Sequence, residues 1–98
     1  MIVTDSMSML QESGDPALTD PYVNGVAALA AGADLLLYAG PVDPAVLSQR
    51  IAAAVDDGTI PAARLADAAR RVLELRRSVA TSHEPYVRCH EGCAAALS

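Results

Sequence analysis

Lysine, phenylalanine and tryptophan are missing from this sequence of 98 residues, and three tyrosines are its only aromatic side chains. With so few rings, Ala, Leu and Val must fill any core, which favours close-packed helices over a broad sandwich. Without lysine, seven arginines face twelve acidic residues and the formal charge is −5. That balance excludes a nucleic-acid or anionic-membrane partner as an expectation, because phosphate binding needs an excess of basic residues. No apolar run approaches the roughly 20 residues that span a bilayer. The first residues, Met1-Ile2-Val3-Thr4-Asp5, carry neither a basic region nor a long apolar one, so no export signal is expected. Cysteine is scarce as well. Cys89 and Cys93 form one closely spaced pair near the C-terminus, a poor disulfide framework that leaves the compartment open.

What is present is apolar enough to fold, since 52% of the residues are hydrophobic. Met1-Ile2-Val3-Thr4 is a short β-branched run and reads as a strand. Asp5 to Thr19 is polar, is broken by Gly14 and Pro16, and reads as irregular. Asp20-Pro21 then supplies an N-cap and a first-turn proline, and Tyr22, Val26, Leu29 and Ala30 trace one helical face up to Gly32. Leu35-Leu36-Leu37-Tyr38 is continuous rather than alternating, the pattern of a strand buried on both faces. Asp43-Pro44 repeats the start signal, and Leu47, Ile51, Ala54 and Val55 form the second face, closed by Gly58. Pro61 opens a third helix with Leu65, Ala69, Val72 and Leu73 facing inward and Arg64, Arg70, Arg71 and Arg77 facing out. Periodicity ends near Ser78, which divides the chain into a domain over 1–78 and a tail over 79–98. The order is strand, helix, strand, helix, helix: a parallel βαβ unit whose strands need neighbours on both edges.

The segment Ile2-Val3-Thr4-Asp5-Ser6-Met7-Ser8-Met9 resembles the nucleophile strand of glycoside hydrolase family 3, particularly its β-N-acetylhexosaminidase branch. Ala30-Ala31-Gly32-Ala33-Asp34-Leu35-Leu36-Leu37 is similar to that family's next helix-to-strand junction. Ala53-Ala54-Val55, Asp57-Gly58, Ile60 and Arg64-Leu65 through Ala69-Arg70-Arg71-Val72-Leu73 are similar to its closing helices. The resemblance covers Met1 to Arg77. It implies the fold class α/β, as the C-terminal fragment of a (β/α)8 TIM barrel, and it implies a carbohydrate substrate with no metal and no organic cofactor. The family's acid/base group and its Lys-His sugar-holding segment have no counterpart here, and most of the barrel would lie before Met1.

Asp5 is the residue on which the chemistry rests. The resemblance makes it the nucleophile of a retaining glycosidase, whose carboxylate attacks the anomeric carbon and forms a glycosyl-enzyme intermediate. From position alone, an Asp that starts a loop and bonds a following backbone N–H is an equal reading. Met7 and Met9 are the candidate substrate-binding residues by the same resemblance, with loop or core packing as the alternative. Asp34 lies at the amino end of its strand and reads as structural. Ser6 and Ser8 have no nearby base in sequence and do not read as nucleophiles. His83, Cys89, His90 and Cys93 are zinc-ligand types, but they lack the two spaced pairs of a structural zinc site.

The function expected is therefore hydrolysis of O-glycosyl bonds, on a β-N-acetylglucosaminide or a β-glucoside, by the intact enzyme. The chain alone is expected to be inactive, because removing a general acid costs about 10²–10⁴-fold in rate. A non-catalytic interaction module, with strand edges that recruit a partner, is the alternative. In either case self-association, or association with a missing upstream barrel half, is expected.

Overall fold

Each of the three long helices begins where an extended residue and a proline meet. A computed structural model describes residues 1–82, with β1 at Val3–Ser6, α1 at Ser8–Gln11, a 3-10 turn at Pro16–Leu18, α2 at Pro21–Ala31, β2 at Leu35–Leu37, α3 at Pro44–Asp56 and α4 at Ala62–Thr81. Asp20 caps α2 by accepting from the Tyr22 and Val23 N–H groups at 2.8 and 3.3 Å, with Pro21 in the first turn. Asp43 caps α3 in the same way through Ala45 N–H, ahead of Pro44. Pro61 itself precedes α4, which has no side-chain cap. Gly32 closes α2 at φ +124°, a conformation that side chains with a Cβ rarely adopt.

The hydrophobic core lies among helices. Leu29 of α2, Ala54 of α3, Ala68 of α4 and the linking Ile60 are buried together, and Val26, Ile51, Val55 and Leu65 pack against them. Ile60 has no exposed surface at all. The expected α3 face is the observed one. On α4 the buried alanine is Ala68 and not Ala69, and Leu73 stays half exposed.

Among the described residues the sheet has two strands. β1 and β2 run parallel, with Val3 opposite Leu35 and Ser6 opposite Leu37. Three steps along β1 match two along β2, so β1 carries one extra residue, a bulge between Val3 and Ser6. One face of the sheet meets α2. There Gly25 lets the Tyr38 hydroxyl come in against the helix, where it donates to the Pro21 carbonyl at 2.7 Å. The other face is open among the described residues, and Val3, Leu35 and Leu37 remain 49, 38 and 52% exposed. The continuous run Leu35–Tyr38 is thus covered on one side only.

The expected C-terminal fragment of a (β/α)8 TIM barrel is not what forms. The chain is α/β, but its described residues form a core among α2, α3 and α4, with the short α1 outside it, and a two-stranded, bulged sheet. Strand-helix-strand-helix-helix is common to many parallel α/β arrangements, so the order alone does not select a barrel. Here α3 and α4 follow β2 with no strand between them, and α4 is tied by arginines to the amino ends of the strands. Three further details differ from the sequence reading. The first strand is Val3–Ser6, so Asp5 lies within it rather than after it. The segment after it contains α1 and the 3-10 turn. The last helix continues to Thr81, past Ser78.

Candidate functional site

The segment from Thr4 to Met9 divides into residues that hold the two strands together and residues that face solvent. Leu37 N–H donates to Thr4 Oγ1 at 3.0 Å, and Met7 N–H donates to the Leu37 carbonyl at 2.7 Å. Ser6 Oγ accepts from Ala39 N–H at 3.2 Å, and Ser8 Oγ accepts from Gly40 N–H at 2.7 Å. Ser6, at the end of β1, and Ser8, at the start of α1, therefore stitch this segment to the turn after β2. Met7 is buried beneath them at 5% exposure, whereas Met9 is 59% exposed. The two methionines named from the sequence are thus separated, and only Met9 offers its side chain to a ligand.

Asp5 is the exposed acid of this edge. It lies near the carboxyl end of β1, at the bulge, and its Oδ1 accepts from Ser6 N–H at 2.7 Å. That bond is the local contact expected of an Asp that starts a loop, and it leaves Oδ2 without a partner among the described residues. Beside the strand ends, Ser6, Ser8, Met9, Glu12, Ala39 and Gly40 line a shallow depression of about 290 Å³. Glu12 is a residue that sequence reasoning passed over. It follows α1, a one-turn helix with no periodicity long enough to announce it. Among the described residues the depression holds no buried acid, and no group of His, Cys, Asp and Glu is arranged to hold a metal ion.

A second carboxylate, Asp34, is organised in the opposite way. Its side chain is fully buried at the amino end of β2. Arg64 donates to Oδ1 at 2.8 Å, Arg71 donates to Oδ1 at 3.2 Å, and Ile2 N–H donates to Oδ2 at 2.8 Å. The Arg64 guanidinium, then the Ile2 amide, hold this carboxyl at about 2 against the opposing effect of burial. Arg64 also donates to the carbonyls of Leu29 and Ala33, which satisfies the C-terminal end of α2. Arg64, expected on the solvent face, therefore points inward, and Arg71 reaches the same acid. Asp67 extends the network, paired with Arg70 at 2.8 Å and Arg71 at 2.9 Å. The bonds to Asp34 join α4 to the amino ends of both strands, so Asp34 is structural, as its place in the strand suggests.

His83, Cys89, His90 and Cys93 lie outside the described residues. Compared with family models, with curated proteins and with solved structures, the chain matches none of them.

Proposed function

We propose that this chain carries the nucleophilic carboxylate of a retaining glycosidase related to glycoside hydrolase family 3, with Asp5 as that nucleophile. The observation that supports the reading is the contrast between the chain's two strand-associated acids. Asp34 is enclosed by two arginines and an amide, while Asp5 stands exposed at the carboxyl end of a parallel strand with one oxygen uncommitted. Ligands of parallel α/β proteins gather beyond the carboxyl ends of the strands. Met9 and the depression beside Ser6 and Ser8 form the adjoining surface for a sugar ring. The sugar is a β-N-acetylglucosaminide or a β-glucoside, and no cofactor takes part.

The chain by itself does not turn over ordinary glycosides. Protonating a poor leaving group needs a positioned acid of raised pKa, and the described residues hold no buried acid beside Asp5. An activated 2,4-dinitrophenyl 2-fluoro-β-glycoside removes that requirement. One Asp5 oxygen attacks the anomeric carbon, the bond from that carbon to the aryl oxygen breaks, and dinitrophenolate leaves as the anion. Intact-protein mass spectrometry should show a single glycosyl adduct that maps to Asp5 and is missing in Asp5→Asn. No adduct at Asp5, or equal labelling of Asp5→Asn, rejects the assignment. Turnover of a 4-nitrophenyl N-acetyl-β-glucosaminide that Asp5→Asn abolishes would reject the claim of inactivity.

A second reading, a non-catalytic interaction module, is favoured by the open apolar face formed by Val3, Leu35 and Leu37. It predicts self-association or partner binding with no glycosyl adduct.

A further inference from the structure

Two apolar surfaces of this chain lie open among the described residues, and they are of complementary kinds. The first belongs to α4. Leu65, Ala68, Val72, Leu75 and Val79 recur at alternating spacings of three and four, which puts them on one stripe of the helix. The near end of that stripe is in the core, with Ala68 at 3% exposure and Leu65 packed beside it. Its far end has left the body, with Leu75 at 39% and Val79 at 69% exposure. Arg76 flanks this free end, four residues after Val72 and three before Val79, and makes no ion pair among the described residues.

The second surface is the open sheet face, where Val3, Leu35 and Leu37 are exposed and Asp5 supplies the carboxylate. A groove of about 440 Å³, whose lining includes Leu35 of the sheet and Leu65, Ala68 and Val72 of the near end of the stripe, lies between the sheet and α4. In α/β proteins an apolar sheet face is buried by a helix laid across it. Here the chain leaves one such face open and also has a helix with an apolar stripe to spare.

We propose that a second copy of this chain covers both. Two protomers associate about a two-fold axis, and the far end of α4 from each lies on the open sheet face of its partner. Arg76 of one protomer then meets the Asp5 carboxylate of the other. Charge favours this occupant. At the free end of α4, Arg76 and Arg77 make no ion pair among the described residues. Residues 1–61 hold Arg50 as their only basic side chain against eight carboxylates, of which only Asp34 is already bound by arginines among the described residues. A basic helix therefore meets an acidic body in each half of the dimer. The two-fold arrangement makes both contacts at once and closes, where a one-way contact would propagate into a filament. The dimer also covers Asp5, so association and attack on a sugar compete for it.

Sedimentation of the full 98-residue chain over a dilution series tests this without any substrate, and its failure is separate from failure of the glycosidase reading. The wild type should reach a dimer. Arg76→Glu alone and Asp5→Arg alone should each weaken association by about tenfold or more, because each sets like charges together. An equimolar mixture of the two variants should recover a heterodimer, since every contact in it again pairs opposite charges. Val79→Asp, at a position 69% exposed in the single chain, should dissociate the dimer with an unchanged circular dichroism spectrum. A chain that stays monomeric throughout, a dimer indifferent to both reversals, or a mixture that stays apart overturns the proposal.

Discussion

The Arg64 guanidinium lies 2.8 Å from the Asp34 carboxylate, and through this pair α4 is fastened to the amino ends of both strands. Asp34 receives Ile2 from β1's approach, stands just before β2, and takes Arg64 and Arg71 from one side of α4. Arg64 and Arg71 are seven residues apart, two helical turns, so both reach the same acid. Asp34→Ala and Arg64→Ala should therefore lower the denaturation midpoint more than Arg70→Ala, whose partners Asp67 and Glu74 are on the surface. Urea titration followed at 222 nm gives the ranking, and equal losses for the three variants would contradict it.

The same pair sets an acid limit. The Asp34 carboxyl falls from its ordinary 3.8 to about 2 in the folded chain, chiefly through Arg64. A depressed folded value means that its stabilisation is complete above the unfolded value and is lost as pH falls toward the folded one. Asp57 and Asp67 are lowered too, by Thr59 and by Arg70 respectively, and act in the same direction. Stability should hold down to about pH 4 and then fall between about 4 and 2. In Asp34→Asn that fall should be visibly shallower, although the variant starts from a lower stability.

Gly25 is the tightest position in α2. A Cβ there would meet the Tyr38 hydroxyl, and it would lie 3.1 Å from Leu47 Cδ1. Gly25→Ala should cost about 1–3 kcal/mol despite the better helix propensity of alanine. Tyr38→Phe removes the obstructing oxygen, so the double variant should lose less than the sum of the two single changes. Additive losses in chemical denaturation would count against the contact.

The two Asp-Pro helix starts are expected to behave alike. Asp20→Ala and Asp43→Ala each remove a carboxylate that accepts from backbone N–H groups in the first turn. Each should cost about 1 kcal/mol, and Asp→Asn at the same positions should cost much less. Thermal unfolding of the four variants checks this.

Asp5→Asn should leave stability within about 0.5 kcal/mol of the wild type, because it is exposed and an asparagine oxygen still accepts from Ser6 N–H. A large loss in a melting experiment would make Asp5 a structural residue and remove it from the chemistry.

Local signals in the sequence were strong where a single residue type decides a backbone conformation. Asp20-Pro21, Gly32, Asp43-Pro44 and Pro61 mark the three long helices because capping and proline geometry depend on neighbours in the chain. The parallel pairing of the two strands was visible in outline, whereas Asp5 reads as following its strand and lies within it. The barrel rested on the resemblance of short segments, and the described residues form a helical core beside a two-stranded sheet instead. The apolar run Leu35–Tyr38 suggested two covered faces, and one of them is open. Arg64 reads as a surface residue from its charge, although it points inward. Its target, Asp34, lies thirty positions away, and no periodicity within α4 reports it. The serines after Asp5 were seen as poor nucleophiles, but their partners Ala39 and Gly40 became visible only once the two turns were side by side.

The stitching of β1 to β2 also runs through contacts distant in the chain. Ile2, Thr4, Ser6 and Ser8 find their partners 32 or 33 positions downstream, at Asp34, Leu37, Ala39 and Gly40. The strand has little to hold it until a loop of that length has closed, and the closure is costly before the contacts form. β1 is also exposed along much of its length, so its amide protons should exchange with solvent sooner than those around Leu29 and Ala54.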